Sequence, residues 1–111
     1  MTTTPISLTV ISRGNGTTAL ALSGELDLDT SARIEPELSL VARQTDERLL
    51  VDLSGVTFCD TSGAELFLRL RRRRACEGER RGELRLCRVP KQTGRVFRIL
   101  GVDQAIPCSF G

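Results

Sequence analysis

Four consecutive residues, Asp60, Thr61, Ser62 and Gly63, set a carboxylate beside two hydroxyls and a glycine. The apolar positions after them recur at helical spacing, so the group lies where a strand turns into a helix. Unpaired amides at a helix start attract anions, and glycine lets another group approach the backbone closely. A hydroxyl there either caps the helix or stays free to be bound or modified. Ser62-Gly63-Ala64-Glu65 has the S/T-x-x-E form of a capping box, which would occupy the Ser62 hydroxyl and leave Thr61 outside the helix. The competing register makes Thr61 the cap and forms no box. A second acidic turn, Gly24-Glu25-Leu26-Asp27, also precedes a helical pattern.

The rest of the composition narrows the chemistry. The 111 residues contain no histidine, tryptophan or tyrosine, which removes imidazole acid–base catalysis and histidine metal ligation within the chain. A nucleophile at Thr61, Ser62 or Cys59 therefore has no histidine base. Cys59, Cys76, Cys87 and Cys108 show no CxxC spacing and read as reduced, small apolar packing residues rather than a zinc set. No metal or cofactor is implied. The net charge of +2 makes no case for nucleic acid. The run from Arg69 to Arg81 is arginine-rich but lacks aromatic residues for base stacking. It reads as a solvated helix face or a partner-docking face, with Glu77, Glu79 and Glu83 offsetting its charge. Lys91-Gln92-Thr93-Gly94-Arg95 lacks the order of a P-loop, and Thr93 reads as a helix cap. Apolar runs fall short of the ~20 residues of a membrane span, and the first ten residues lack a leader's basic and apolar regions. The expectation is a cytoplasmic protein without membrane or nucleic-acid contacts.

Those turns need elements to hold them. Residues 6–12 and 17–24 alternate apolar and polar around Gly14-Asn15-Gly16, an N-terminal hairpin. Leu28, Ala32, Ile34, Leu38 and Val41 mark a helix with cap oxygens at Asp29, Thr30 and Ser31. A regular start near Ser31 or Ala32 would keep Pro36 close to the first turn, where its missing N–H costs little. Residues 48–56 form an apolar run suited to a strand buried on both faces. A helix from about Ser62 to Glu77, broken by Gly78, carries Leu66, Phe67 and Leu70 inward and the arginines outward. Residues 82–89 alternate again, and Val96, Phe97 and Leu100 mark a last helix ended by Gly101. A short edge strand near Ala105 to Pro107 could follow. The order β-β-α-β-α-β-α predicts an α/β fold: one domain over residues 1–111, with residues 1–4 as a flexible tail. Its mixed four- to five-stranded sheet has parallel later strands, and about three helices cover at least one face. Both acidic turns then follow strand carboxyl ends, on one rim, where function tends to sit in such sheets.

LSGELDLDTSARIEPEL, LLVDLSGVTFCDTSGAELFLRLRRR and VFRILGVDQAI, in that order, resemble a STAS domain of the anti-sigma factor antagonist type over nearly the whole chain. The resemblance implies a switch rather than an enzyme. The unphosphorylated antagonist binds an anti-sigma factor, itself a serine/threonine kinase, and frees a sigma factor in a bacterial partner-switching pathway. The kinase phosphorylates the hydroxyl after the motif aspartate, and a serine/threonine phosphatase reverses the modification. Carried onto this chain, the acceptor is Thr61, with Ser62 as second choice. The partner surface comprises Gly24, Glu25, Leu26, Asp27, Asp60, Thr61, Ser62 and Gly63. The family's acceptor is most often serine, and Cys59 stands where an aliphatic residue is common. A scaffold subunit with no phosphorylation cycle is the alternative that keeps the fold, and a phosphotransfer domain using Cys59 is the enzymatic one.

Overall fold

The computed structural model describes residues 6–45, 47–76 and 82–111. Strands β1 (Ser7–Gly14) and β2 (Thr17–Leu26) are followed by α1 (Leu28–Gln44), β3 (Arg48–Cys59), α2 (Thr61–Cys76) and β4 (Leu84–Val89). Helices α3 (Lys91–Leu100) and α4 (Val102–Ala105) then lead to β5 (Cys108–Phe110). The five strands lie in sequence order. The first pair is antiparallel and the other neighbouring pairs are parallel, as the alternation of elements predicts. Asn15 (φ 52°) and Gly16 (φ 76°) form the two-residue hairpin turn in which both central residues are left-handed.

Sequential order with right-handed crossovers puts the helices on one face of the sheet, and the burial pattern agrees. Leu20, Leu22 and Leu26 of β2 are fully buried, whereas Ala19 and Ala21 are half-buried and Ser23 is exposed. The covered side meets Ile34 and Leu38 from α1 and Leu66, Phe67 and Leu70 from α2. Phe67 also meets Phe97 of α3 edge to face, with ring centroids 5.8 Å apart, a favoured aromatic geometry that joins the second and third helices.

Several boundaries differ from the sequence expectation. Helix α1 begins at Leu28 because Asp27, not Asp29, Thr30 or Ser31, caps it. Pro36 therefore lies in the helix interior. The bond it removes would end on the carbonyl of Ala32, and both residues are exposed, so water can satisfy that oxygen. Strand β3 runs on to Cys59, α2 spans Thr61–Cys76, and β4 starts at Leu84 rather than residue 82. The helix break at Gly78, Glu77, Glu79 and the tail at residues 1–4 lie outside the described residues. Thr93 does not cap α3. Pro90 holds that position, and Thr93 is a buried residue of the first turn.

The short last strand follows Pro107 instead of ending on it. Its first bond comes from Leu86 N–H to the Pro107 carbonyl at 2.9 Å, which needs no proline donor. Gly101 ends α3 in the left-handed conformation (φ 75°) as expected, but a further short helix, α4, follows. The arginines of α2 do not all face outward. Arg74 is 5% exposed and donates to the carbonyls of Ala42, Thr45, Glu47 and Gly82. It ties the end of α1 to the starts of β3 and β4.

Candidate functional site

Strands β2 and β3 do not run in simple register. Pairing shifts between Ala21 and Ser23 and again between Gly24 and Glu25, so β3 carries two extra residues against β2. Such bulges bend and twist a strand and re-aim its end. Gly24 takes φ 118° at the second shift, a conformation that favours glycine. After both shifts Glu25 pairs with Phe58 and Leu26 with Cys59. The two strands thus end side by side, and Asp60 N–H extends the ladder by donating to the Leu26 carbonyl at 3.0 Å. The two acidic turns share one rim.

The first turn is held by a reciprocal cap. The Asp27 carboxylate accepts from Thr30 N–H at 2.9 Å, and the Thr30 hydroxyl accepts from Asp27 N–H at 2.9 Å. That hydroxyl also donates to the Glu25 carbonyl at 2.6 Å. The amide bond from Thr30 favours the charged form and holds the Asp27 carboxyl below its ordinary value. A capping box therefore exists in this protein, with aspartate and threonine as its two members.

The second turn is organised differently from either register read from the sequence. The carboxylate of Asp60 accepts from Ser62 N–H at 2.8 Å, and the Asp60 carbonyl accepts from Gly63 and Ala64 N–H at 3.2 and 3.4 Å. Asp60 is thus the cap, and Thr61 and Ser62 are the first two helical residues. No capping box forms between Ser62 and Glu65. Neither hydroxyl has a partner among the described residues. Thr61 is exposed and Ser62 is half-buried.

Beneath this turn the packing is tight. A Cβ on Gly63 would lie 2.5 Å from Cys59 Sγ and 2.9 Å from Leu26 Cβ, so only glycine lets α2 start this close to both strands. Cys59 is fully buried. Burial, with the neighbouring Asp60 charge, pushes its thiol up to about 12. At neutral pH it is a thiol that packs, not a thiolate that attacks.

The rim brings together Gly24, Glu25, Leu26, Asp27, Asp60, Thr61, Ser62 and Gly63. Their parts divide by burial: Gly24, Leu26 and Gly63 are enclosed, and Glu25, Asp27, Asp60, Thr61 and Ser62 reach the surface. Exposed apolar side chains flank them, Leu28 at 76% and Phe58 at 43% exposure. Gln92 of α3 is the neighbour that sequence reasoning missed. Its carboxamide accepts from Cys59 N–H at 2.9 Å and donates to the Cys59 carbonyl at 2.8 Å. No sequence signal marks it, because the contact depends on where β4 stops.

The family described as "Mlab, STAS domain" matches residues 10–107. The anti-sigma-F factor antagonist RsfB of Mycobacterium tuberculosis is 35% identical over 63 residues, which are 56% of this chain and 52% of that protein. The chain thus matches about half the length of this curated relative. An anti-sigma factor antagonist from Mycobacterium paratuberculosis superposes with a TM-score of 0.74 at 24% identity, covering 92% of this chain and 85% of that one. The antagonist SpoIIAA in its unphosphorylated form superposes at 0.70 with 21% identity, covering 93% and 88%. Its phosphorylated form, described as a Bacillus cell fate determinant, superposes at 0.63 with 21% identity, covering 93% and 91%. At these identities the structural likeness is one of fold. With the family match spanning nearly all of the sequence, the chain belongs to the STAS domain family.

Proposed function

We propose that this protein is an anti-sigma factor antagonist of the bacterial cytoplasm, a binding switch rather than an enzyme. Its unphosphorylated form binds an anti-sigma factor of the serine/threonine kinase type and so releases a sigma factor. Phosphorylation at Thr61 ends that binding, and a serine/threonine phosphatase restores it. The observation that carries this reading is the Asp60 cap. It leaves the Thr61 hydroxyl exposed at a helix start, in one of two acidic turns that share a rim, with no partner among the described residues. The partial identity with RsfB and the fold shared with SpoIIAA, solved in both phosphorylation states, support it.

The switch has a local physical account. Phosphate adds roughly −1.5 to −2 charges at neutral pH. It would stand beside the Asp60 carboxylate, which already occupies the Ser62 amide, so that donor is not free to receive it. Like-charge crowding with Asp60, Glu25 and Asp27 then opposes docking of a partner, and no change of fold is needed. The β-methyl of threonine stiffens its side chain, and the kinase must accommodate it. Ser62 is the second reading for the acceptor, since its hydroxyl is also unbonded, but it is the less exposed of the two.

The test is incubation with candidate anti-sigma factor kinases and ATP, followed by mass spectrometric location of the phosphate. Label on Thr61 that Thr61→Ala abolishes supports the switch. Label on Ser62 moves the acceptor, and label on Cys59 replaces the switch with phosphotransfer. No label, with the complex still formed, replaces it with a scaffold.

A further inference from the structure

Strand β3 extends seven residues beyond its last pairing with β4. That pairing ends at Asp52 opposite Cys87, because Arg88 takes a left-handed conformation (φ 51°) and β4 shifts its pairing with β5 before Val89. The far end of β3 thus has a bare edge on the β4 side. An unpaired backbone amide and carbonyl in a part-buried position cost free energy unless a partner replaces the missing strand. Gln92 is that partner. Its carboxamide makes both bonds to Cys59 itself, whereas a parallel strand would supply its N–H and C=O from two different residues.

We propose that Gln92 is the positioning residue of the Thr61 turn. Cys59 is fixed from the α3 side by Gln92, and Asp60 is fixed from the β2 side by the Leu26 carbonyl. The main chain that presents Thr61 is therefore gripped from both edges, one residue apart. Gln92 touches neither hydroxyl, and its effect passes through the Cys59–Asp60 backbone. Misplacement of a reacting group by about 1 Å can lower a rate on the order of a hundredfold, so a loosened turn is a poor phosphate acceptor even in a folded protein. A site held by interactions behind it depends on those interactions for its geometry. The functional half of this proposal rests on the reading of Thr61 as acceptor, whereas the positional half does not.

The experiment compares wild type with Gln92→Met, which keeps the length and loses both hydrogen bonds, and with Arg95→Met on the same helix as a control. Amide hydrogen exchange by NMR reads the positional half. In Gln92→Met, exchange at Cys59 should rise at least tenfold and should also rise at Asp60 and Gly63, with Val51 and Leu53 unchanged. The functional half is read by kinetics with ATP and the anti-sigma factor kinase that phosphorylates wild type. The expected result is a kcat at least tenfold lower with KM within about threefold, and no change in Arg95→Met. Unchanged exchange at Cys59 overturns the proposal outright. So does exchange that rises equally throughout β3, which would make Gln92 a general stabiliser. Unchanged kcat despite faster Cys59 exchange overturns the functional half. If no kinase labels wild type, the acceptor reading fails, and the exchange data alone decide whether Gln92 holds the turn.

Discussion

The Asp60 carboxylate accepts the Ser62 amide at 2.8 Å, and this one bond sets the chemistry of the turn. With the acid as cap, the helix begins at Thr61, two residues earlier than a Ser62 cap would allow, and neither hydroxyl has a partner among the described residues. A stability experiment separates the residues. Asp60→Ala should cost about 1 kcal/mol for a lost cap, whereas Ser62→Ala should cost only a few tenths. Urea unfolding of the two variants checks this. A larger loss in Ser62→Ala would restore serine as the cap.

Gly63 makes a second prediction. Its missing side chain is what admits Cys59 Sγ and Leu26 Cβ. Gly63→Ala should destabilise the fold by about 1–3 kcal/mol through overpacking. Adding Cys59→Ala removes the nearer of the two obstacles, so the double variant should lose less than the sum of the single losses. A double-mutant cycle measures that coupling. Strict additivity would mean the sulfur and the glycine do not meet.

Arg74 anchors the opposite end of the sheet through four carbonyls from three segments. Arg74→Met keeps much of the volume and abandons those oxygens, each costing about 1–3 kcal/mol if left unsatisfied. The expected loss is about 3 kcal/mol or more. Arg72→Met, on the exposed face, should change stability by less than about 0.5 kcal/mol. Equal effects of the two substitutions in chemical denaturation would show Arg74 to be another solvated arginine.

The fold was largely legible because its signals are local. Alternation in β1 and β2, the apolar run of β3 and the inward Leu66, Phe67 and Leu70 need no tertiary information. The start of α1 differs because Asp27, ahead of the cap oxygens offered at Asp29, Thr30 and Ser31, reaches the Thr30 amide and begins the helix at Leu28. Thr93 looked like a cap but is buried, since Pro90 already starts the helix. Arg74 could not be told from its neighbours, because burial of one arginine among the five of residues 69–74 depends on three other segments. The rim was legible from two strand ends. Gln92 was not, because its partner is a strand edge that exists only where β4 turns away.

The α1–α2 contact gives a pH prediction. Glu35 accepts both Arg69 nitrogens at 3.2 and 3.0 Å, and Arg73 lies 3.3 Å away. The Arg69 hydrogen bonds lower the Glu35 carboxyl from its ordinary value of 4.5, against the opposing effect of burial. A carboxyl lowered by folding stabilises the native state above its unfolded value and loses that stabilisation as pH falls through the folded value. The arginines are partly exposed, so screening limits the pair to about 0.5–1 kcal/mol. Wild type should exceed Glu35→Gln in stability by that amount at neutral pH. The gap should close as pH falls below the ordinary value of 4.5 and through the lowered folded one. A gap that persists in acid would assign the difference to packing.

The proposed switch requires that phosphate on Thr61 close the docking rim. Titration calorimetry of the anti-sigma factor kinase against the protein, unmodified and phosphorylated at Thr61, tests it most directly. Affinity should be at least tenfold weaker for the phosphorylated form, about 1.4 kcal/mol. Equal affinity for the two forms would contradict it.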